Sequence, residues 1–269
     1  MNGPTALVRR PSPRLAEGLI THISRQPVDT ELAFAQWANY CTALAGAGWT
    51  LIEVPPAPDL PDSGFVEDTV VMYGDLAVLA SPGAPERVDE VAGTARVLRD
   101  LGYRIAQIQT PGTLDGGDVL KHGTDVWVGL GGRTNPMGVA QLRSALRPEG
   151  ARVIGVPLSK VLHLKSAVTA LPDGTVIGYP PLVDDTSIWS DFLAVSEEPG
   201  AHVVVLDDDS VLMAASAPES AAAFQARGLR VITVDISEFE KLEGCVTCLS
   251  VRLRHSPGHS PGHSPTAAP

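Results

Sequence analysis

The sequence predicts an α/β fold, a ring of five ββαβ-type repeats. Three observations predict it. A pattern of strand, tight turn, strand, loop, helical stretch and strand recurs along the chain. The turns carry the Gly and Asp chemistry that hairpins need. The first segment has one strand too few and the last segment one too many, so pairing the two ends would close the set and leave no bare sheet edge. A doubly wound sheet also alternates β and α elements and is the competing architecture.

The elements follow in order. The first segment, 7–54, holds one strand (ALVRR), a helix over about 29–45 and the strand WTLIEV. Its missing partner is the final stretch, 248–253. The second unit pairs 70–72 with 77–79 through a turn at Gly74 and Asp75, then runs a helix over about 86–101 and a strand over 104–108. The third pairs 118–120 with 126–128, with a helix over about 136–146 and a strand over 152–156. The fourth shows a hairpin, 167–170 with 175–177, turning at Pro172, Asp173 and Gly174. The fifth pairs 203–206 with 211–213, followed by a helix over about 218–227 and a strand over 230–234. Residues 1–254 therefore read as a single catalytic domain. Residues 255–269 read as a disordered tail rich in Pro, Ser, Gly and His that cannot bury a core.

The 269 residues suffice for a sizeable core. A net charge of -11 lacks the basic face that nucleic-acid binding requires. No apolar run approaches the ~20 residues of a membrane span, and the N-terminus has no apolar centre of a signal peptide. A cytoplasmic protein is expected. The three cysteines, Cys41, Cys245 and Cys248, are an odd set for a disulfide framework. Cys245 and Cys248 form a C-x-x-C that runs into a strand, whereas thioredoxin-like motifs open a helix. No second ligand pair has zinc spacing, so neither a metal nor a cofactor is expected.

Three features could carry chemistry. Cys248, in EGCVTCLS, sits at a turn entering the last strand, and a thiol is a nucleophile once its pKa is lowered or a base is near. A lone cysteine is more often a small buried hydrophobe. His163, between two leucines in VLHLKSA, needs polar partners for its ring nitrogens. Acids gather at equivalent hairpin mouths: Asp62, Glu67 and Asp68 in PDSGFVEDTVV, and Asp115 and Asp118 in PGTLDGGDVL. In a ring of repeats, equivalent mouths face one axis, so acids from different units meet. Carboxylates converging on one pocket suit a guanidinium, which takes bidentate hydrogen bonds. The far carboxylate of an amino-acid ligand calls for arginine, and Arg87 and Arg133 follow the second strands of successive units.

With those residues placed, the sequence resembles the dimethylarginine dimethylaminohydrolase family of the guanidino-group-modifying superfamily. The resemblance rests on LVRRPSPRLAEGL, LPDSGFVEDTVV, SPGAPER, TLDGGDVL, VGLGGRTN, LHLKSAVTALPDGTVIG and FEKLEGCVTCLSVRL, in family order over nearly the whole chain except the tail. It implies the five-bladed α/β-propeller, or pentein, fold. It also implies Cys248 as nucleophile, His163 as general acid and base, and Asp115 as the acid orienting it. Other members carry Glu at that last position. Glu67 and Asp68 would meet the guanidinium, Arg87 and Arg133 the α-carboxylate, and Asp62 the α-amino group. The carbonyl of Leu242 and a lid over residues 19–25, with Ile23 as its contact, would also touch substrate. Cys245 is given no role.

The resemblance implies hydrolysis of methylated arginine to citrulline through a covalent thiouronium on Cys248, with this small molecule as the partner and a homodimer left open. The alternatives are an arginine deiminase, whose members are longer through a helical insertion not visible here, and a non-catalytic binder of arginine-like ligands. A redox protein using both C-x-x-C thiols is a third.

Overall fold

A computed structural model describes residues 3–258 of the chain. The expected tail is described only to Gly258, and its remainder lies outside the described residues. The first unit is β1 (Thr5–Val8), α1 (Thr30–Gly46) and β2 (Thr50–Glu53). The second is β3 (Val70–Tyr73), β4 (Leu76–Leu79), α2 (Val91–Asp100) and β5 (Arg104–Gln107). The third is β6 (Val119–His122), β7 (Asp125–Leu130), α3 (Pro136–Leu146) and β8 (Arg152–Pro157). The fourth is β9 (Val168–Ala170), β10 (Val176–Gly178) and β11 (Phe192–Ala194). The fifth is β12 (Val203–Val205), β13 (Ser210–Ala214), α4 (Pro218–Ala226) and β14 (Arg230–Val234). A short α5 (Ser237–Glu240) and β15 (Val251–Leu253) complete the set.

These strands form five three-stranded sheets with one plan. In each, the central strand pairs antiparallel with a leading strand and parallel with an outer one. Thus β4 pairs antiparallel with β3 and parallel with β5. The first sheet takes its leading strand from the far end of the chain: β1 pairs antiparallel with β15, Thr5 opposite Leu253, and parallel with β2. Closure is visible from inside. Residues of all five leading strands, β15, β3, β6, β9 and β12, line one axial cavity of ≈ 340 Å³. The doubly wound alternative is excluded by this geometry.

Local sequence explains the elements. Gly74 and Gly123 adopt φ +57° and +56° in their hairpin turns, where a β-carbon would be strained. Asn135 caps α3 by accepting from the Gly138 N–H, and Pro136 occupies the first turn, where no backbone donor is needed. Asp29 caps α1 through the Leu32 N–H. Apolar faces of the helices and sheets pack into five clusters, each between neighbouring units.

Three expectations change. The helix expected over 86–101 begins as a 3-10 turn, Pro85–Glu90, and turns α only at Val91. Three residues per turn stack Arg87 on Glu90, and the buried guanidinium needs that carboxylate. The fourth unit has an outer strand after all, β11, but short 3-10 turns at Pro180–Leu182 and Thr186–Ile188 replace its helix. Two successive prolines there remove amide donors. The last strand is shorter than expected, because residues 245–248 are a turn closed by the Cys248 N–H on the Cys245 carbonyl, 3.1 Å. Among the described residues, no helix is long and apolar enough to cross a membrane.

Candidate active site

A second, narrow cavity of ≈ 20 Å³ opens where loops of several units meet. Its lining includes Asp62, Asp68, Arg87, Arg133, His163, Leu242 and Cys248. It is far smaller than the axial cavity, which contains neither Cys248 nor His163. The sequence-expected thiol and imidazole therefore sit in the smaller one. Its volume is near that of one water.

Cys248 reaches the cavity because its turn is docked by the backbone. Its carbonyl accepts the Glu67 N–H at 3.1 Å, tying the C-terminal turn to the 3-10 turn Val66–Thr69. The thiol is buried, and 3.4 Å separates its Sγ from that of Cys245. The hydrogen bond with Cys245, burial and the nearby Glu67 and Asp68 carboxylates all push its pKa well above the thiol range.

His163 precedes the short turn Leu164–Ser166 and is 3 % exposed. Its Nε2 lies 3.0 Å from Asp115 Oδ2 and its Nδ1 3.7 Å from Asp68 Oδ1. Burial alone would lower its pKa. Asp68 by charge, Asp115 by hydrogen bond and Asp118 by charge overcome that and push it up to about 9. The imidazole is thus held protonated at neutral pH. Gly117 makes room for this contact: a β-carbon there would fall 2.5 Å from Asp68 Oδ1 and 2.6 Å from His163 Nδ1.

The acids are held in turn. Asp115 accepts the Gly83 N–H at 2.9 Å. Asp68 accepts the Gly117 N–H at 2.8 Å and pairs with Arg87 Nη1 at 2.6 Å. Burial opposes its charge, but His163 and Arg87 hold its carboxyl well below the usual range. Asp118 accepts from Thr134 Oγ1 at 2.6 Å and from the Leu164 N–H at 3.0 Å, anchoring the His163 segment. Burial pushes its carboxyl up to about 6. Donor atoms of Asp68, Asp115 and His163 lie within 4.8 Å of one another, a metal-like grouping in which each group already has a protein partner.

The two arginines differ. Arg87 is clamped by Asp68, Glu90 and the carbonyls of Asp62 and Phe65. Arg133 is also buried, 3.5 Å from Asp115, but its Nη1 has no hydrogen-bond partner. A buried cationic donor without a partner is costly unless a ligand supplies one. Asp62 accepts the Leu19 N–H at 3.1 Å, which fastens the covering segment, and burial raises its carboxyl pKa.

Most of the sequence-expected residues meet here; Asp115 is fully buried behind the lining and reaches it through His163, and two others lie elsewhere. Glu67 is not among the lining residues. Its carboxylate pairs with Lys165 Nζ at 2.6 Å and with the Arg252 guanidinium, toward the axial cavity. Ile23 is exposed and does not line the cavity, whereas Leu19, at the start of the same segment, does. Sequence reasoning missed Glu90 and Glu243. The i, i+3 spacing of Arg87 and Glu90 was a readable signal. Glu243 gave none: it adopts φ 59°, unusual for a side chain of this kind, and its carboxylate accepts the N–H groups of Thr21 and His22, 2.6 and 2.8 Å away.

Solved structures carry the same ring. A dimethylarginine dimethylaminohydrolase adduct with S-methyl-L-thiocitrulline superposes with a TM-score of 0.87 at 28% identity, covering 93% of this chain and 99% of the other. A mutant of the Pseudomonas aeruginosa enzyme complexed with citrulline gives 0.86 at 29% identity, covering 93% and 98%. The fold is that of the pentein class of guanidino-group-modifying proteins. In sequence, the N(G),N(G)-dimethylarginine dimethylaminohydrolase of Streptomyces coelicolor is 59% identical over 254 residues, 94% of this chain and 98% of that protein. The chain belongs to the dimethylarginine dimethylaminohydrolase family. No protein-family model matches it.

Proposed function

We infer that this protein hydrolyses N-ω-methylated arginine, dimethylated asymmetrically or monomethylated, to citrulline and dimethylamine or methylamine. The observation that carries the reading is one cavity lined by the Cys248 thiol and by a His163 imidazole wedged between the Asp68 and Asp115 carboxylates. The relative from Streptomyces coelicolor bears the name of this activity, and the neighbouring structures hold a thiocitrulline adduct and citrulline.

The chemistry follows from the residues. The substrate guanidinium seats against Asp68 and Asp115, and its charge favours the Cys248 thiolate over the thiol. The thiolate adds to the guanidinium carbon, giving a tetrahedral adduct. Protonated His163 gives its proton to the departing methylated amine, leaving an S-alkylthiouronium on Cys248. Neutral His163 then takes a proton from water, whose oxygen attacks the same carbon. Collapse returns the thiolate and releases citrulline. Arg133 Nη1, which is ion-paired with Asp115 but makes no protein hydrogen bond, and the Arg87 guanidinium receive the α-carboxylate, and Asp62 with the Leu242 carbonyl receives the α-amino group. Glu67 acts from the axial side by balancing Lys165 and Arg252 rather than by touching substrate. The catalytic unit is residues 1–254. Three free cysteines fit a reducing cytoplasm as the place of the reaction.

Citrulline formed from asymmetric dimethylarginine, monomethylarginine and arginine, measured separately, tests the reading. Product from the methylated substrates alone, lost in Cys248→Ser, is expected. Product chiefly from arginine would make the protein a deiminase.

A further inference from the structure

The mechanism above leaves Cys245 without a task, yet its sulfur stands 3.4 Å from that of Cys248. Both thiols are buried and neither is in a disulfide. They lie at the two ends of one tight turn, closed by the Cys248 N–H on the Cys245 carbonyl at 3.1 Å. Such a turn keeps its end α-carbons within about 7 Å, a span that overlaps the one a disulfide bridges. Only Cys248 lines the cavity; Cys245 lies behind it, 3.2 Å from Thr247 Oγ1.

We propose that Cys245 and Cys248 are a reversible disulfide site that stores the nucleophile in an inactive form, with a hydroperoxide as oxidant. Its effect on turnover rests on Cys248 being the nucleophile; the modification itself does not. The Cys248 thiolate attacks the peroxide, an S–O bond forms, the O–O bond breaks, and hydroxide leaves. The sulfur is then a sulfenic acid. Cys245, already in contact, attacks that sulfur, forms the S–S bond and expels a second hydroxide. The two hydroxides take up the two thiol protons, so two thiols and one hydrogen peroxide give one disulfide and two waters. The short separation makes the second step faster than a further attack by peroxide.

The electrostatics assist. The hydrogen bond between the sulfurs lowers the Cys245 pKa and raises that of Cys248. The proton is shared, so a charge on the pair belongs to both sulfurs.

The test is made on the full chain, free of reductant, treated with hydrogen peroxide and then blocked with iodoacetamide. Trypsin cuts after Lys241 and Arg252, so both cysteines fall in one peptide, LEGCVTCLSVR. We expect that peptide two hydrogens lighter and unalkylated, with turnover down at least about tenfold and restored by dithiothreitol. Cys245→Ser, with Cys245→Ala should Ser not fold, is expected to go on to the sulfinic acid at Cys248 and not to recover. Wild-type peptide carrying oxygen on Cys248 beside an alkylated Cys245 would overturn the proposal and leave the nucleophile standing. So would recovery of the Cys245 variants as complete as that of wild type. A disulfide that forms without loss of turnover would overturn the storage role and, with it, the assignment of Cys248.

Discussion

Glu67 and Asp68 are neighbours in the chain and serve two chambers of opposite character. Asp68 faces the small cavity, where carboxylates gather around one imidazole and two arginines. Glu67 faces the axial cavity, whose lining includes Lys121, Lys165, Arg252 and Arg254 against its single carboxylate. A 3-10 turn, Val66–Thr69, makes the division possible, since successive side chains on it diverge by about 120°. One face of the ring is thus set to receive a cation, and the other spends its carboxylate on the protein's own cations. Two carboxylates on adjacent residues thus face two different settings, Asp68 beside an imidazole and Glu67 beside a lysine and an arginine.

The largest effects separate the chambers by activity. Cys248→Ser should lower kcat by at least about 10⁴-fold, because a hydroxyl does not ionise where the thiol does. His163→Gln should cost about 10²–10⁴-fold through loss of proton transfer. Citrulline assays with circular dichroism as a folding control measure both. Glu67→Gln should divide differently. It leaves Lys165 and Arg252 without their shared counter-charge, and breaking a buried pair costs about 3–5 kcal/mol of stability. Urea unfolding should show that loss, while kcat/KM per folded molecule falls far less than in His163→Gln. A Glu67→Gln protein of wild-type stability with collapsed turnover would return Glu67 to the substrate.

How much of this was legible in sequence follows the same divide. The helix α3 was readable to the residue, because Asn135 and Pro136 mark its start and the apolar spacing carries it. The fourth unit was half-read, because its helix does not exist and its outer strand is three residues long. The convergence of Cys248, His163 and Asp115 was readable because equivalent loop ends in a ring face one axis. The resemblance sets Glu67 beside the guanidinium, whereas the tight turn aims it at the axial cavity, and sequence adjacency does not say which way each side chain of such a turn points. Within the 19–25 segment Leu19 rather than Ile23 lines the cavity, because the segment is fixed by distant groups, Asp62 and Glu243, through backbone N–H groups that carry no sequence signal.

The chambers also differ in how stability responds to pH. The folded pKa of His163, about 9, stands above its unfolded value of about 6.5. Its stabilisation is therefore complete below about pH 6.5 and disappears as pH rises through about 9, a contribution on the order of 3 kcal/mol. The Tm gap between wild type and His163→Gln should shrink between pH 7 and 10. A constant gap would mean that the imidazole is not held charged by Asp68 and Asp115.

Lys121 should behave in the opposite sense and more weakly. Burial, with Lys165, Arg252 and then Arg254 nearby, lowers its ammonium pKa from the usual lysine range. The side chain is nonetheless open to the axial cavity, where solvent screens these charges. A base whose folded pKa is depressed binds fewer protons in the fold than in the unfolded chain. Its burden on the fold is full below the lowered value and fades as pH climbs toward about 10.4, the unfolded value. Lys121→Met should thus raise stability slightly near neutrality and lose that advantage toward pH 10, whereas the His163→Gln deficit closes over much of the same range. Tm measured at matched ionic strength for both variants reads the two signs directly. If Lys121→Met tracks His163→Gln, the axial cavity is not the cation-rich chamber its lining describes, and the contrast between the two faces of the ring fails there.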